Sequence, residues 1–305
     1  MLIYALKRLG VALLVFVSIS IIGFVLLRAS GDPAIALAGE GASQQDVEYV
    51  RQHYGFNRPI YIQYVDWAKR ALTGDLGDSI YLRQPVSQVI AERAPTTLLL
   101  GALSLCFALI LAIPMGVLAA LYPNSYIDRT ALTIAVVGQA LPTFFFSLLL
   151  IVIFGVWLHW LPIAGNSSWK NFIMPSIALG YYATPAIMRL TRAGMIEVLS
   201  SDYIRTARAK GLRRSTVLFK HALRNAVIPV VSLAAVQLGF MLGGSVIIES
   251  IFSLNGLGNL AWQTIRRSDF EVMQAVVLTI ASFYILLTYL ADLLNAFLDP
   301  RIRTS

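Results

Sequence analysis

The sequence predicts an all-α integral membrane protein with six transmembrane helices and both termini on the cytoplasmic side. Three observations carry this reading. Of 305 residues, 57% are hydrophobic and 13% charged, against about 25% charged in a soluble domain. Mean hydropathy is +0.71. The apolar residues are gathered in charge-free runs rather than spread along the chain. This pattern excludes an ordinary soluble enzyme, a disulfide scaffold, a disordered tail and a coiled coil. The formal charge is +8 and the pI near 9.7. The basic residues lie between hydrophobic segments, where they set orientation in the bilayer, so no nucleic-acid partner is expected. The single cysteine, Cys106, lies inside an apolar run and excludes a disulfide.

A helix needs about 20 apolar residues to cross the hydrocarbon layer. Runs free of Asp, Glu, Lys and Arg extend over Leu9–Leu27, Ala94–Ile127, Thr130–Trp169, Asn171–Met188, Asn225–Ile248 and Val272–Ala291. The first follows Lys7 and Arg8 and precedes Ala36-Leu37-Ala38, as in a signal peptide. Its core is too long for one, and Arg28 and Asp32 separate it from that site, so a retained helix is expected. The run Thr130–Trp169 has room for two spans, but its second part, with His159, Pro162, Gly165 and Asn166, suits an interfacial loop. One span there gives six in all. The side holding both termini and segment 189–224 then carries fourteen basic residues, nine of them in that segment. The other side carries ten, of which seven lie in the long segment 28–93, where the positive-inside rule loses force.

Two units follow. Residues 1–95 comprise the first helix, at about 9–27, and a long periplasmic segment; residues 96–305 comprise five helices with the cytoplasmic loop 189–224. The external segment predicts a short helix over Asp46–Arg51 and a turn over Gly74–Asp78. Its Tyr61, Tyr64 and Trp67 are expected to pack at the membrane face. The tail Leu298-Asp-Pro-Arg-Ile-Arg303 reads as an aqueous stop.

Catalytic chemistry is missing from the motifs. There is no phosphate-binding Gly-x-x-x-x-Gly-Lys-Ser/Thr loop, Gly-x-Ser-x-Gly elbow or His-Glu-x-x-His pair. His53, His159 and His221 are too scattered to hold a metal. No catalytic or metal-ligating residue is therefore assigned. Intramembrane carboxylates and inverted repeats, the marks of a stand-alone carrier, are not evident; the energy source is expected to lie in another chain.

The stretch Ser201–Leu212 predicts a short helix. Ser201 or Asp202 can cap it, Thr206, Ala207 and Ala209 permit close approach, and Gly211 ends it. Arg205, Arg208 and Lys210 place positive charge near its C-terminal end. Composition alone fits a basic loop on anionic lipid as well as a helix docked on a protein; the ordered cap, small face and terminal glycine favour docking. In the fifth span, Gly239-x-x-x-Gly243 suits either a helix-packing face or a path lining. Gln237 and Met241 are four apart and share a face. With Gln139, they are the candidate lining of a translocation path.

The block Asp202-Tyr203-Ile204-Arg205-Thr206-Ala207-Arg208-Ala209-Lys210-Gly211, followed by His221-Ala-Leu-Arg-Asn-Ala-Val-Ile-Pro229, resembles the signature loop of binding-protein-dependent ABC transporter permeases. The dipeptide, oligopeptide and nickel branch is the most similar. Gly31-Asp32-Pro33, Gly74-Asp75-Leu76-Gly77, Leu161-Pro162, Arg189-Leu190-Thr191-Arg192, Glu249 with Gly256-Leu257-Gly258, and Asp299-Pro300-Arg301 follow in that family's order. Arg205-Thr206-Ala207 stand where other branches have Glu-Ala-Ala.

The resemblance implies a type I ABC importer transmembrane domain in the bacterial inner membrane, carrying di- or oligopeptides, or alternatively glutathione, nickel or a metal chelate. It implies partners: a homologous second permease, two cytoplasmic ATPases that bind the ATP and magnesium, a substrate-binding protein, and membrane lipid. It makes Asp202, Tyr203, Arg205, Thr206, Ala207, Arg208, Ala209, Lys210 and Gly211 the ATPase-coupling surface. No cofactor is expected in this chain.

Overall fold

A computed structural model describes residues 2–39 and 41–298. The expected aqueous stop, with Asp299, Pro300, Arg301 and Arg303, lies outside these residues. Among the described residues there is no β-strand, only an isolated bridge between Asp78 and Pro85.

Helix α1 (Leu2–Ser30) is followed by three short helices, α2 (Pro33–Ala38), α3 (Gln44–His53) and α4 (Ile60–Leu72). The capping box that starts α3 pairs the Ser43 hydroxyl with the Asp46 amide and the Asp46 carboxylate with the Ser43 amide. Trp67 and Tyr64 of α4 pack on Phe24 of α1, which keeps this segment against the helical body; Tyr61 is exposed.

Helix α5 (Val86–Leu121) starts earlier than the charge-free run, because Val86, Val89 and Ile90 are buried although Glu92 and Arg93 interrupt the apolar sequence. Residue 95 thus lies inside α5. The long run after Arg129 is broken into α6 (Tyr126–Ala140) and α7 (Thr143–Leu150), the latter widening into a π-helical turn over Ile151–Trp157. Pro142 is the cause: it holds Leu141 in an extended conformation (φ −82°, ψ 125°) and stops α6 there. The rest of that run, 158–168, is non-helical, as its Pro and Gly content predicted.

Helix α8 (Ile173–Leu199) leads into α9 (Asp202–Ala209); a π-helical segment (Thr216–Leu223) and α10 (Arg224–Ala226) precede α11 (Ile228–Ile251), with Pro229 in its first turn. Helices α12 (Leu257–Arg267) and α13 (Phe270–Leu298) complete the described chain. Among the described residues, four helices, α1, α5, α11 and α13, are long and apolar enough to cross a membrane, and Thr143–Trp157 forms a shorter apolar helix.

The core lies between α5, α7, α8 and α11, where Leu100, Met174, Ile187, Met188, Met241 and Ile248 are buried. Small residues permit this. A Cβ on Gly116 would stand 2.7 Å from the Met188 carbonyl oxygen and 2.8 Å from Thr191 Cβ; Gly180 lies against the Ser104 backbone in the same way. Because the obstacle at Gly116 is partly backbone, Gly116→Leu is expected to cost about 3 kcal/mol or more. Thermal unfolding of the detergent-purified chain checks this against Gly10→Leu, whose site has nothing within 4 Å; equal midpoints for the two variants would refute the packing account.

Contacts order the two ends of the bundle. Arg8 of α1 pairs with Asp292 of α13 at 3.1 Å, while Gly31, just beyond α1, lies against the Phe270 ring at the other end. Ser232 at the start of α11 bonds Asn295 of α13. The beginning of α1, the end of α13, the ends of α5 and α8, and α9 itself therefore share one end. At the other end, Arg93 bonds Asn255 (2.8 Å), Ser79 bonds Asp269 (2.6 Å) and the Gly165 amide bonds the Phe252 carbonyl (2.9 Å).

Candidate functional site

Helix α9 has two opposite faces. Ile204, fully buried, and Ala207 insert among Val117, Ala120, Met195, Val217, Ala222 and Ala226, closing the end of the bundle. Asp202, Tyr203, Arg205, Thr206, Arg208, Ala209, Lys210 and Gly211 remain exposed. This corrects one expectation: Ala207 seats the helix on its own chain instead of lying on the free face with Thr206 and Ala209. The helix starts at Ser201, which is extended (φ −72°, ψ 153°). The Ser201 hydroxyl donates to the Val198 carbonyl rather than capping α9. Gly211, at φ +76°, takes the left-handed conformation that ends the helix, as predicted. The Asn225 side-chain amide donates to the Tyr203 hydroxyl at 2.8 Å, tying α9 to α10.

Around α9 spreads an exposed basic surface: Arg205, Arg208, Lys210, Arg213, Arg214 and Lys220. Arg205 meets Asp202 at 3.4 Å, but both side chains are more than four-fifths exposed. The pair leaves Arg205 free to engage another acceptor, since an exposed pair of this kind holds weakly.

Beside this surface lies a contact the sequence did not reveal. Arg192 of α8 grips Asp128 of α6 with two hydrogen bonds of 2.7 Å, Nε to Oδ1 and Nη2 to Oδ2. Asp128 is buried and also accepts from the Asn124 amide at 2.9 Å. In the sequence Arg192 stands only as part of the motif Arg189-Leu190-Thr191-Arg192, and nothing there points to Asp128 as its partner.

A second hub stands at the α12 end. Glu249, fully buried at the end of α11, accepts from Thr97 of α5 at 2.7 Å and from the Asn259 amide of α12 at 2.9 Å. Thr97 in turn accepts from the Leu257 amide at 2.7 Å. The glycines of Gly256-Leu257-Gly258 give this carboxyl room: a Cβ on Gly258 would fall 2.6 Å from Val246 Cα. Nearby in the external segment, Arg51 binds Asp32. Burial pushes the Asp32 carboxyl up, but the Arg51 hydrogen bond, the Ala34 amide and the Arg51 charge together hold it below its ordinary value.

The three candidate path residues separate. Met241 is 4% exposed and belongs to the core, so it does not form an open lining together with Gln237. Gln237 is half-buried, and Gln139 is exposed, with its Oε1 3.4 Å from Arg189 Nη1. Gly239 packs on the Tyr284 ring, whereas Gly243 and Gly244 face open space. The two glycine readings are therefore divided between positions: packing at 239, an open face at 243 and 244 beside the exposed Phe240 and Ile247.

Residues 112–304 match the family model described as the binding-protein-dependent transport system inner membrane component, and residues 1–101 match its N-terminal companion. A glutathione transport system permease protein of Escherichia coli O6:H1 is 42% identical over 305 residues, 99% of each chain. The protein of the same description from E. coli K12 is 41% identical over the same share, 99% of each. Among solved structures, an inward-facing form of a methionine ABC transporter aligns with a TM-score of 0.59 at 20% identity, covering 70% of this chain and 97% of that one.

Proposed function

The chain belongs to the binding-protein-dependent transport system inner membrane components, and from that membership we propose that it carries short peptides through six spans, driven through α9. It is a multi-pass permease subunit of an ABC importer in the bacterial inner membrane and is not itself catalytic; separate ATPase subunits hydrolyse ATP. The observation that carries the proposal is the division of α9 between an apolar face seated in its own bundle and an exposed, basic outer face. A helix so built transmits a push without melting, because force applied to its outside reaches α5, α8, the π-helical segment and α10 through Ile204 and Ala207.

In this reading α1, α5, the broken pair α6–α7, α8, α11 and α13 are the six spans, and the α9 end with both termini is cytoplasmic. Asp202, Arg205, Thr206, Arg208, Ala209 and Lys210 engage the ATPase, Arg213, Arg214 and Lys220 rest near anionic lipid, and a homologous second permease covers the open face of Phe240, Gly243, Gly244 and Ile247. Gln237 and Gln139 remain the path candidates; Met241 does not. The cargo is a short peptide. The relatives named for glutathione favour that tripeptide as the specific case. Reconstitution with the second permease, the ATPases and the binding protein is expected to give ATP-dependent accumulation of labelled Ala-Ala or glutathione in vesicles. Accumulation of neither would overturn the cargo, and accumulation without ATP would overturn the mechanism.

A further inference from the structure

At the α12 end, away from α9, a cavity of about 580 Å³ opens between the external segment and the start of α13. This is within the range of small-molecule sites, roughly 300–1,000 Å³. Aromatic rings line part of it: Tyr54, Phe56, Trp67 and Phe270. The rest is charged, with both signs present. Arg58 and Asp66 neutralise each other at 3.1 Å. Arg28, Arg70, Asp75 and Glu271 form no ion pair among the described residues. Glu271 lies against Gly77, within the field of Arg28 and Arg70 but not in contact with either.

Three polar atoms in this region are buried with no hydrogen-bond partner. They are Arg28 Nη1, Gln63 Oε1 and Gln274 Nε2. Arg28 and Gln63 line the cavity. Gln274, 4% exposed, lies in the narrow recess beneath, which is walled by Arg28, Trp67, Phe270 and Glu271 as well. Arg28 Cζ lies 5.1 and 4.9 Å from the Phe24 and Phe56 ring centroids, so packing on two rings fixes the guanidinium while its Nη1 stays without a hydrogen-bond partner among the described residues. Separated buried charges and orphaned donors cost stability unless something supplies the missing partners.

We propose that this cavity binds a small zwitterion with a free α-carboxylate and a free α-ammonium, the two termini of a short peptide. Arg28, with Arg70, takes the carboxylate, for which the planar guanidinium fork is matched. Glu271 and Asp75 take the ammonium, the Gln63 carbonyl accepts from the peptide N–H, and the aromatic wall accepts side chains of varied shape. The site receives cargo at the outer mouth before it enters the path; in this it deepens the peptide-importer reading and rests on it for the identity of the ligand.

The test uses the complete transporter in nanodiscs, without ATP or binding protein, and measures equilibrium binding of labelled Ala-Ala, N-acetyl-Ala-Ala and Ala-Ala-amide. Saturable binding of Ala-Ala is expected, with each blocked peptide about ten-fold weaker, the loss of one charged hydrogen bond. Arg28→Gln is expected to abolish the preference for Ala-Ala over its amide while keeping the preference over the acetylated peptide; Glu271→Gln is expected to do the reverse. A variant that was merely misfolded would lower all three together, and Arg70→Gln, farther from the helix core, serves as the milder carboxylate-side variant. Absent binding, equal binding of the blocked peptides, or unchanged selectivity in all three variants overturns the proposal. So does protection of Gln63→Cys from maleimide by the binding protein and not by Ala-Ala, which would make a protein loop the occupant. Uptake measured in parallel keeps the two readings apart: intact ATP-driven uptake without cavity binding removes this site alone, while binding without uptake leaves the site and removes the importer reading.

Discussion

Reversing two charges on α9, Arg205→Glu with Arg208→Glu, is expected to leave the permease folded and membrane-inserted while reducing ATP-driven uptake at least about ten-fold, the cost of losing charged contacts worth some 1.4 kcal/mol or more. Both side chains are exposed and neither supports the core. Among the described residues Arg205 pairs with Asp202 at 3.4 Å, itself exposed, and Arg208 sits in the last turn, where a glutamate opposes the helix dipole only mildly. The partner contact should therefore bear the loss. Unchanged thermal stability with lost stimulation of the ATPase by substrate and binding protein is the expected result in reconstituted vesicles. Should uptake and stimulation survive the reversal, α9 is not the transmission element. Ile204→Asp offers the contrasting case: it places a charge in the cluster with Met195 and Val217 and is expected to lower the yield of folded protein before coupling can be measured.

Asp128→Ala is expected to destabilise the chain by about 2–4 kcal/mol, because it leaves Arg192 facing a largely buried site with no counter-charge and the Asn124 amide without its acceptor. The pair joins the start of α6 to α8 on the last turns before α9, so loosening it should also blunt whatever α9 passes into the bundle. A double-mutant cycle with Arg192→Ala checks the assignment. The double variant is expected to be more stable than the two single losses would add up to, since removing both partners leaves no orphaned charge. Additive losses would mean that the two bonds of 2.7 Å do not act as a unit.

Much of this protein can be read without coordinates, though not all of it by the same reasoning. The end of the short helix Asp202–Ala209 at Gly211, the short helix around Asp46–Arg51 and the non-helical stretch after Trp157 follow from glycines, prolines and turn-forming residues, whose effects are local. The break at Pro142 was legible in principle, from the restriction a proline puts on the residue before it, but it was masked by a charge-free run long enough for a continuous span. Met241 and Ala207 were misjudged for a different reason. A helical wheel tells which residues share a face; it does not tell whether that face meets a neighbouring helix or open space.

Run length, charge distribution and terminal residues by themselves determined that this is a multi-helix membrane protein with one basic loop organised as a short helix. They could do so because the bilayer and the backbone act on each segment separately, demanding about 20 apolar residues here and a positive-φ glycine there. Only the tertiary structure decided that Asp128 meets Arg192, that Glu249 ties α5 to α11 and α12, and that Arg28 and Glu271 confront each other across an open cavity. Apart from the short step from Glu249 to Asn259, those meetings join residues 64 to 243 positions apart. They depend on how closely glycines let neighbouring helices approach, which is a property of the packed bundle and of no single segment.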